Sequence, residues 1–574
     1  METGSTGLTG DPRAVRLAIV LGALCLLMLF FWRLGAAPLL EPDEGRYTEI
    51  PREMLASGDL VTPRLNGVLY FEKPPMYYWL NAAAIRALGL NEFAARAWSA
   101  VFGLLGVLLT WRLGVEVGGR RAGLVAAAAL GTFPLYVTLG RLATLDMTLS
   151  FFLTLTLTCF WFAHRDEERR RAGLWWHGSF LAAALAVLAK GLIGVVIPGT
   201  IVFLYLLATG RWRVLARVPW FTGTVLFLAV SAPWHVLAAT RNPDFLWFYF
   251  VHEHVLRYAT PVAERQEPFW YFAAVLVLGC APWSGLFPSV LRLMRWREWR
   301  SALAERPEVT FLLVWSGFVF VFFSASQSKL IPYILPALPP LAVLVGLLLA
   351  RLREGELSAS RLETVGIVAG GVVTAVYGLF FLWAGLGRID RLGLGGVVSP
   401  GLLVPGGLLV AMGALLVLAG LGRIWRRRLL ALFVASCCIG AAIMTVVPLV
   451  GRERSSKALA DQLRGQLREG DLVFAYRCYP ESLPVHLERT VGVAAYQGEL
   501  AFGISHLSNE ERQRRFPTAE EFKAVWGSER RVFAVVGLNW PRRMAADGIT
   551  HARLLWEGEG LALLSNERPA SGGR

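Results

Sequence analysis

Apolar runs of about 20 residues recur along most of this 574-residue chain, and that recurrence limits what it can fold into. A run of that length crosses the hydrocarbon core of a bilayer as a helix. Inside that core only helices and closed barrels satisfy their own backbone. With 55% hydrophobic and only 17% charged residues, the chain reads as a polytopic all-α membrane protein with one soluble tail. The pattern predicts about 13 transmembrane helices, near 15–34, 94–115, 122–140, 145–163, 174–190, 191–208, 218–240, 268–291, 308–325, 332–350, 361–385, 403–422 and 429–449.

A net charge of +15 could suggest nucleic acid, but the arginines sit elsewhere than in a binding patch. They stand in alternate short loops: Arg120-Arg121, Arg169-Arg170-Arg171, Arg211/Arg213/Arg217, Arg292/Arg295/Arg297/Arg300, Arg351/Arg353 and Arg426-Arg427-Arg428. That is the positive-inside pattern of a membrane protein, and nucleic acid is not an expected partner. Arg13 and Arg16 precede the first run without a small-residue cleavage site, so that run reads as a retained helix. With a cytoplasmic N-terminus and an odd helix count, loop 35–92 and tail 451–574 fall on the same outer face. Two domains follow: a membrane domain over 1–450 and an α/β domain over 451–574. In the tail, strands are expected at Val473–Tyr476, Val532–Val536 and Leu561–Leu564, and helices at Ser455–Leu467 and Thr518–Trp526. Thr518 with Glu521 makes a capping box for the second helix. The six cysteines show neither disulfide-framework nor metal-knuckle spacing.

The island from Glu41 to Gly89 concentrates acids, bases and aromatics at a membrane edge, where they are costly unless they do chemistry or hold a headgroup. Two amphipathic interfacial helices are expected in it. One begins where Asp43 would be the N-cap and contains Pro51. The other runs from Pro74-Pro75 to Gly89, with Tyr77, Tyr78 and Trp79 as a headgroup-level belt. Asp43 and Glu44 either cap a helix and complement its dipole or supply a general base. Lys73 either snorkels beside Glu72 or binds phosphate as a point charge. Asp146 either pairs with Arg141 across a turn or faces Asp43 across a cavity. His252 and His254, joined by Glu72, have the look of metal ligands, although such pairs are commonly structural. Arg257 could share a phosphate with Lys73. Lys329 and Tyr333 open a helix and could hold an anion; Lys190 reads first as a snorkelling side chain. These clusters all map to the face opposite the arginine loops, and acids beside phosphate-seeking cations suit a sugar donor linked through phosphate to a lipid.

The runs Glu41-Pro42-Asp43-Glu44-Gly45-Arg46-Tyr47 and Tyr70-Phe71-Glu72-Lys73-Pro74 resemble the lipid A aminoarabinose transferases (the ArnT type). These stand with the protein O-mannosyltransferases among the multi-spanning type C glycosyltransferases. Arg141…Asp146, Ala189-Lys190-Gly191, His252…Arg257-Tyr258 and Ser328-Lys329-Leu330…Tyr333 support the likeness, which covers about residues 15–350. The resemblance implies transfer of a sugar, such as 4-amino-4-deoxy-L-arabinose, from undecaprenyl phosphate to lipid A at the periplasmic face of the bacterial inner membrane. It implies Asp43 as the main catalytic carboxylate and Asp146 as its supporting acid. Lys73, Arg257 and Tyr333 would hold the carrier phosphate, and Glu72 with His252 marks where relatives bind a zinc-like ion. No cofactor is expected to be required, although Zn2+ could bind near the site, and a monomer is expected. The alternatives are a transferase acting on protein Ser/Thr and a non-enzymatic lipid-phosphate translocator.

Overall fold

A computed structural model describes residues 12–166, 168–256, 267–294, 298–387, 400–422, 424–558 and 560–567. Among these, nine helices are long and apolar enough to cross a membrane, or ten if one bent pair counts as a span. Two shorter apolar helices, Arg16–Phe31 and Ile193–Thr209, accompany them. The spans expected at 94–115 and 122–140 belong to one 41-residue element, Glu92–Thr132, whose backbone leaves helical geometry at Gly118 and Gly119. The span expected at 268–291 is instead two short helices, Tyr271–Gly279 and Trp283–Leu293, bent by 112°. Helices Leu145–Arg165 and Ile331–Glu354 are the most enclosed, and the large apolar core forms around them.

The arginine loops do gather at one end of the bundle. Arg121 pairs with Glu354 at 3.7 Å and Arg351 with Glu308 at 3.0 Å. Arg306 donates to the carbonyl of Leu293 at 2.5 Å, and Arg211 to that of Ala304 at 3.2 Å. Helix Leu145–Arg165 runs toward that end, and Arg169–Lys190 returns from it. Gly191, at φ 89°, then breaks the chain before Ile193–Thr209. Such a backbone suits glycine, and it stops the helix with Lys190 as its last residue. The two runs joined by almost nothing in the sequence are therefore separate helices.

At the other end, loop and tail form one layer. Helix Asp43–Ser57, the hairpin of β1 (Arg64–Leu65) and β2 (Val68–Leu69), and helix Met76–Leu88 pack against the C-terminal domain. Tyr47, Ile50, Met54, Tyr77 and Tyr78 share a core with Leu459, Leu483, Val493, Phe533 and Leu563. Tyr77 and Tyr78 are fully buried there, so they are not the expected headgroup belt. The C-terminal domain is a five-stranded sheet of β3 (Leu472–Tyr476), β4 (Gly492–Ala494), β5 (Val532–Gly537), β6 (Arg553–Gly558) and β7 (Leu561–Ser565), in the order β4-β3-β5-β7-β6. The β3–β4 and β3–β5 pairs are parallel, and β7 runs antiparallel to both its neighbours. Thr518 and Glu521 form the expected capping box. The short β4 and the half-exposed β6 carry too little apolar alternation to be read from sequence.

Two contacts tie this layer together. A Cβ on Gly45 would lie 2.4 Å from the backbone nitrogen of Ser482, so only glycine lets the 43–57 helix touch the C-terminal domain there. Next to it, Glu41 accepts from the Ser482 N–H at 2.9 Å. The second contact is the Glu44–Arg96 pair, each residue 1% exposed. Arg96 Nε and Nη2 donate to the two Glu44 oxygens at 2.8 and 2.6 Å. The same guanidinium donates to the carbonyls of Leu34, Ala37 and Pro38 at 2.7–3.0 Å. Glu44 also accepts the N–H groups of Leu40 at 2.9 Å and Ala143 at 2.7 Å.

Removing one partner of a buried pair leaves an uncompensated charge. Glu44→Ala is expected to destabilise the protein by about 3–5 kcal/mol, read as a loss in thermal or denaturant midpoint. Burial lifts the Glu41 carboxyl to about 7. The folded protein thus holds a proton there that the unfolded chain has released from its ordinary value of 4.5. The resulting stabilisation is full below the unfolded value and is lost as pH rises through the folded one. Wild type is expected to lose melting temperature between pH 4.5 and 7, and Glu41→Gln to lose less; parallel curves would remove Glu41 as the source.

Candidate active site

The site lies between the two ends of antiparallel helices and the loop layer above them. Asp146 sits in the first turn of Leu145–Arg165, and Lys190 is the last residue of Arg169–Lys190. Each charge stands at the helix end whose half-dipole favours it, and the helices' antiparallel course brings them into direct ion-paired contact. Lys190 therefore does not snorkel outward. Its Nζ also lies 4.8 Å from the centre of the Tyr333 ring, a cation–π geometry.

Lys73, Asp146, Lys190, Glu253 and Tyr333 line one cavity of about 360 Å³. That falls within the range of sites for small ligands. Its remaining wall is largely apolar, with Leu149, Leu192, Ile193, Val196, Phe322 and Phe323. Lys73 follows Glu72 into Pro74-Pro75, and its Nζ bonds the Glu72 carbonyl at 2.7 Å and Glu253 at 3.2 Å. Glu253 is 9% exposed and anchors in a π-helical turn, Trp247–Leu256. Such turns are frequent at functional sites. In chemical terms the cavity offers two ammonium groups, each held by a carboxylate, in a largely apolar wall.

Asp43 is placed differently from the expectation. Pro42 occupies the N-cap, and Asp43 is the first helical residue, its side chain 51% exposed and without a capping bond. It stands 3.7 Å from Arg46, which reaches Glu481 at 2.9 Å and Glu499 at 3.6 Å in the C-terminal domain. Asp43 and Asp146 share a neighbour: the Tyr47 phenol is pushed well above its ordinary value, first by burial and then by charges that include both aspartates. Burial and the Glu72 carboxylate likewise push up the phenols of Tyr70 and Tyr78. Their hydroxyls and Arg46 Nε are buried without a hydrogen-bond partner among the described residues. Buried polar atoms are rarely left so; Arg46 stands 3.7 Å from Asp43, and the Tyr70 ring lies 6.0 Å from the same guanidinium.

Several expected roles change. Glu44 is a saturated strut under Asp43 and not a catalytic base, because both oxygens are already occupied by N–H donors. Asp146 pairs with Lys190 and not with Arg141, which instead donates to the carbonyls of Leu29 and Trp32. Lys329 is 8% exposed and donates to the carbonyls of Glu267 and Ser326, so it braces the turn beside the cavity and does not line it. His252 stacks on Phe248 at 5.0 Å and sits 3.3 Å from Glu253. Among the described residues no three His, Cys, Asp or Glu side chains gather as a metal site. The His254 side chain, Arg257 and Tyr258 lie outside the described residues. Lys190 and Glu253 are the site residues that sequence reasoning undervalued; a lone lysine at a Lys-Gly helix break was the available signal for the first.

Comparisons with known proteins agree with this arrangement. Residues 19–250 match the family model of dolichyl-phosphate-mannose-protein mannosyltransferases, and residues 459–561 match the aminoarabinose transferase C-terminal domain. An undecaprenyl phosphate-α-4-amino-4-deoxy-L-arabinose arabinosyl transferase of Pseudomonas paraeruginosa is 36% identical over 343 residues, which cover 58% of this chain and 61% of that protein. A relative of that name from Sodalis glossinidius is 31% identical over 532 residues, covering 89% of this chain and 91% of its own. The crystal structure of ArnT from Cupriavidus metallidurans bound to undecaprenyl phosphate superposes with a TM-score of 0.82 at 28% identity, over 98% of this chain and 100% of that one. Bundle, loop layer and C-terminal sheet are thus shared along nearly the whole length, and the chain belongs to the undecaprenyl phosphate-α-4-amino-4-deoxy-L-arabinose arabinosyl transferase family.

Proposed function

We propose that this protein transfers 4-amino-4-deoxy-L-arabinose, or a related sugar, from undecaprenyl phosphate to lipid A at the outer face of the inner membrane. The observation that carries the reading is the cavity in which Lys73 and Lys190 stand among largely apolar lining residues. A polyprenyl phosphate has that shape and charge: an anion on a hydrocarbon chain. The relatives' names and the Cupriavidus structure with undecaprenyl phosphate support the donor class. The arginine loops at the opposite end of the bundle support a periplasmic site.

In the reaction, an acceptor phosphate oxygen attacks the anomeric carbon of the sugar. The bond from that carbon to the carrier's phosphate oxygen breaks, and undecaprenyl phosphate leaves with the bonding electrons. Charge grows on the leaving phosphate, where Lys73 and Lys190 are pre-positioned to offset it. Asp146 holds Lys190 in the wall as a positioning residue. Asp43, exposed at a helix start beside Arg46, orients the acceptor and takes its proton if one is present. A protein Ser/Thr acceptor is the second reading, favoured by the mannosyltransferase match over 19–250. It differs in needing that proton removal, because a hydroxyl must ionise as it attacks.

Purified protein given the lipid-linked sugar and lipid A is expected to yield glycosylated lipid A. No product with any lipid-phosphate sugar donor would reject the transferase reading, and glycosylated envelope protein in place of lipid A would select the second. Asp43→Asn is expected to abolish turnover while melting temperature and donor affinity stay near wild type, because the Asp43 side chain caps nothing. An active Asp43→Asn enzyme would end its catalytic assignment. Lys73→Ala removes a charge-assisted contact of about 1.5–3 kcal/mol, so donor affinity should fall roughly ten- to a hundredfold. Glu72 and His252 supply two of the usual three or four ligands for zinc, so any ion there should be weak and dispensable. Turnover is expected to survive chelation; its loss with the fold intact would reverse that reading.

A further inference from the structure

A second cavity, of about 190 Å³, is lined in part by Arg96 of the Glu44–Arg96 pair. Arg33, Arg96 and Arg141 line its polar part, and Met444, Val447 and Pro448 of the last membrane helix, Trp425–Glu453, line its apolar part. The charge of Arg96 is matched by Glu44. Arg141 donates to the carbonyls of Leu29 at 2.8 Å and Trp32 at 2.7 Å, which cap the end of the first helix, and neither contact neutralises it. Among the described residues neither Arg33 nor Arg141 has an acidic partner. Arg33 also holds a backbone φ of 53°, uncommon for a residue with a side chain. Two guanidinium groups thus face a partly apolar cleft at a membrane edge with no carboxylate beside them among the described residues.

We propose that this cleft is a second anion site, which seats the phosphate of an anionic lipid between Arg33 and Arg141 while a hydrocarbon chain lies along Met444 and Val447. Guanidinium forks match phosphate oxygens two at a time, and basic pockets between membrane helices suit lipid headgroups. The volume is below the roughly 300–1,000 Å³ of whole-ligand sites, so the cleft holds the headgroup and only the first part of a chain, along Met444 and Val447. The site shares no lining residue with the carrier cavity and does not depend on the donor assignment. A phosphorylated acceptor lipid and a bulk anionic phospholipid have this chemistry in common.

The test titrates the purified full-length chain separately with lipid A, phosphatidylglycerol, inorganic phosphate and phosphatidylcholine, and reads binding by native mass spectrometry and melting temperature. Arg33→Gln, an exposed side chain, should fold normally and weaken binding of the phosphate lipid by about tenfold, the scale of one charge-assisted contact. Adding Arg141→Lys, which keeps a donor for the helix-end carbonyls, should weaken it further. Undecaprenyl phosphate binding at the Lys73 cavity should be unchanged in both, which separates failure here from failure of the donor reading. Binding confined to lipid A identifies the acceptor as the occupant, and equal binding of phosphatidylglycerol identifies bulk lipid. Binding of inorganic phosphate alone overturns the lipid assignment. Affinities unchanged in both variants, or phosphatidylcholine bound as tightly as the anionic lipids, overturn the site.

Discussion

The buried pair of Glu44 and Arg96 is the interaction on which the rest of the site depends. All five N–H donors of the guanidinium have acceptors: two on Glu44 and three on the carbonyls of Leu34, Ala37 and Pro38. Desolvating two charges is expensive, and their attraction offsets the cost only when every remaining donor and acceptor is used. That condition is met here. The pair holds the exit of the first helix to the start of Glu92–Thr132, and through the Ala143 N–H it reaches the turn that begins Leu145–Arg165. Asp43 and Asp146 are each neighbours of atoms fixed by this one carboxylate.

Helix direction supplies the second layer of control. Antiparallel neighbours place the N-terminal half-charge of one helix beside the C-terminal half-charge of the other, so an aspartate and a lysine can sit at depth with local support. Asp146 and Lys190 use this, and Gly191 ends the lysine's helix at the required residue. Lys73 arrives from the loop layer and finds Glu253 on a π-helical turn. The cavity therefore draws its charged groups from four separate segments, which makes its geometry a property of the assembled bundle. The C-terminal domain joins this assembly through Gly45, Glu41 and Arg46, all within the same seven-residue motif as Asp43.

Much of the site was legible because polar groups at a membrane edge are rare enough to stand out. Lys73, Asp146 and Tyr333, read from separate stretches, do line one cavity. What misled was partner choice. Glu44 looked equivalent to Asp43 one residue away, yet a helix turns about 100° between them, sending one into a buried guanidinium and the other toward solvent. Lys190 looked like an isolated cation in apolar surroundings, because its partner is 44 residues earlier on another helix. Tyr77 and Tyr78 looked like an aromatic belt, because nothing local signals that a distant domain covers them.

The sequence by itself determined the class of architecture: a helical bundle spanning a membrane, with loop and tail on the face away from the arginines. It could do so because hydrophobic length, arginine placement and capping residues act within one element or one loop. Only the tertiary structure decided which charges meet. Ion pairs such as Glu44–Arg96 and Asp146–Lys190 depend on helix order and rotation, and on the close approach that Gly45 permits. Electrostatic energy falls with distance in space and is indifferent to separation along the chain, so those choices are made only when the bundle closes.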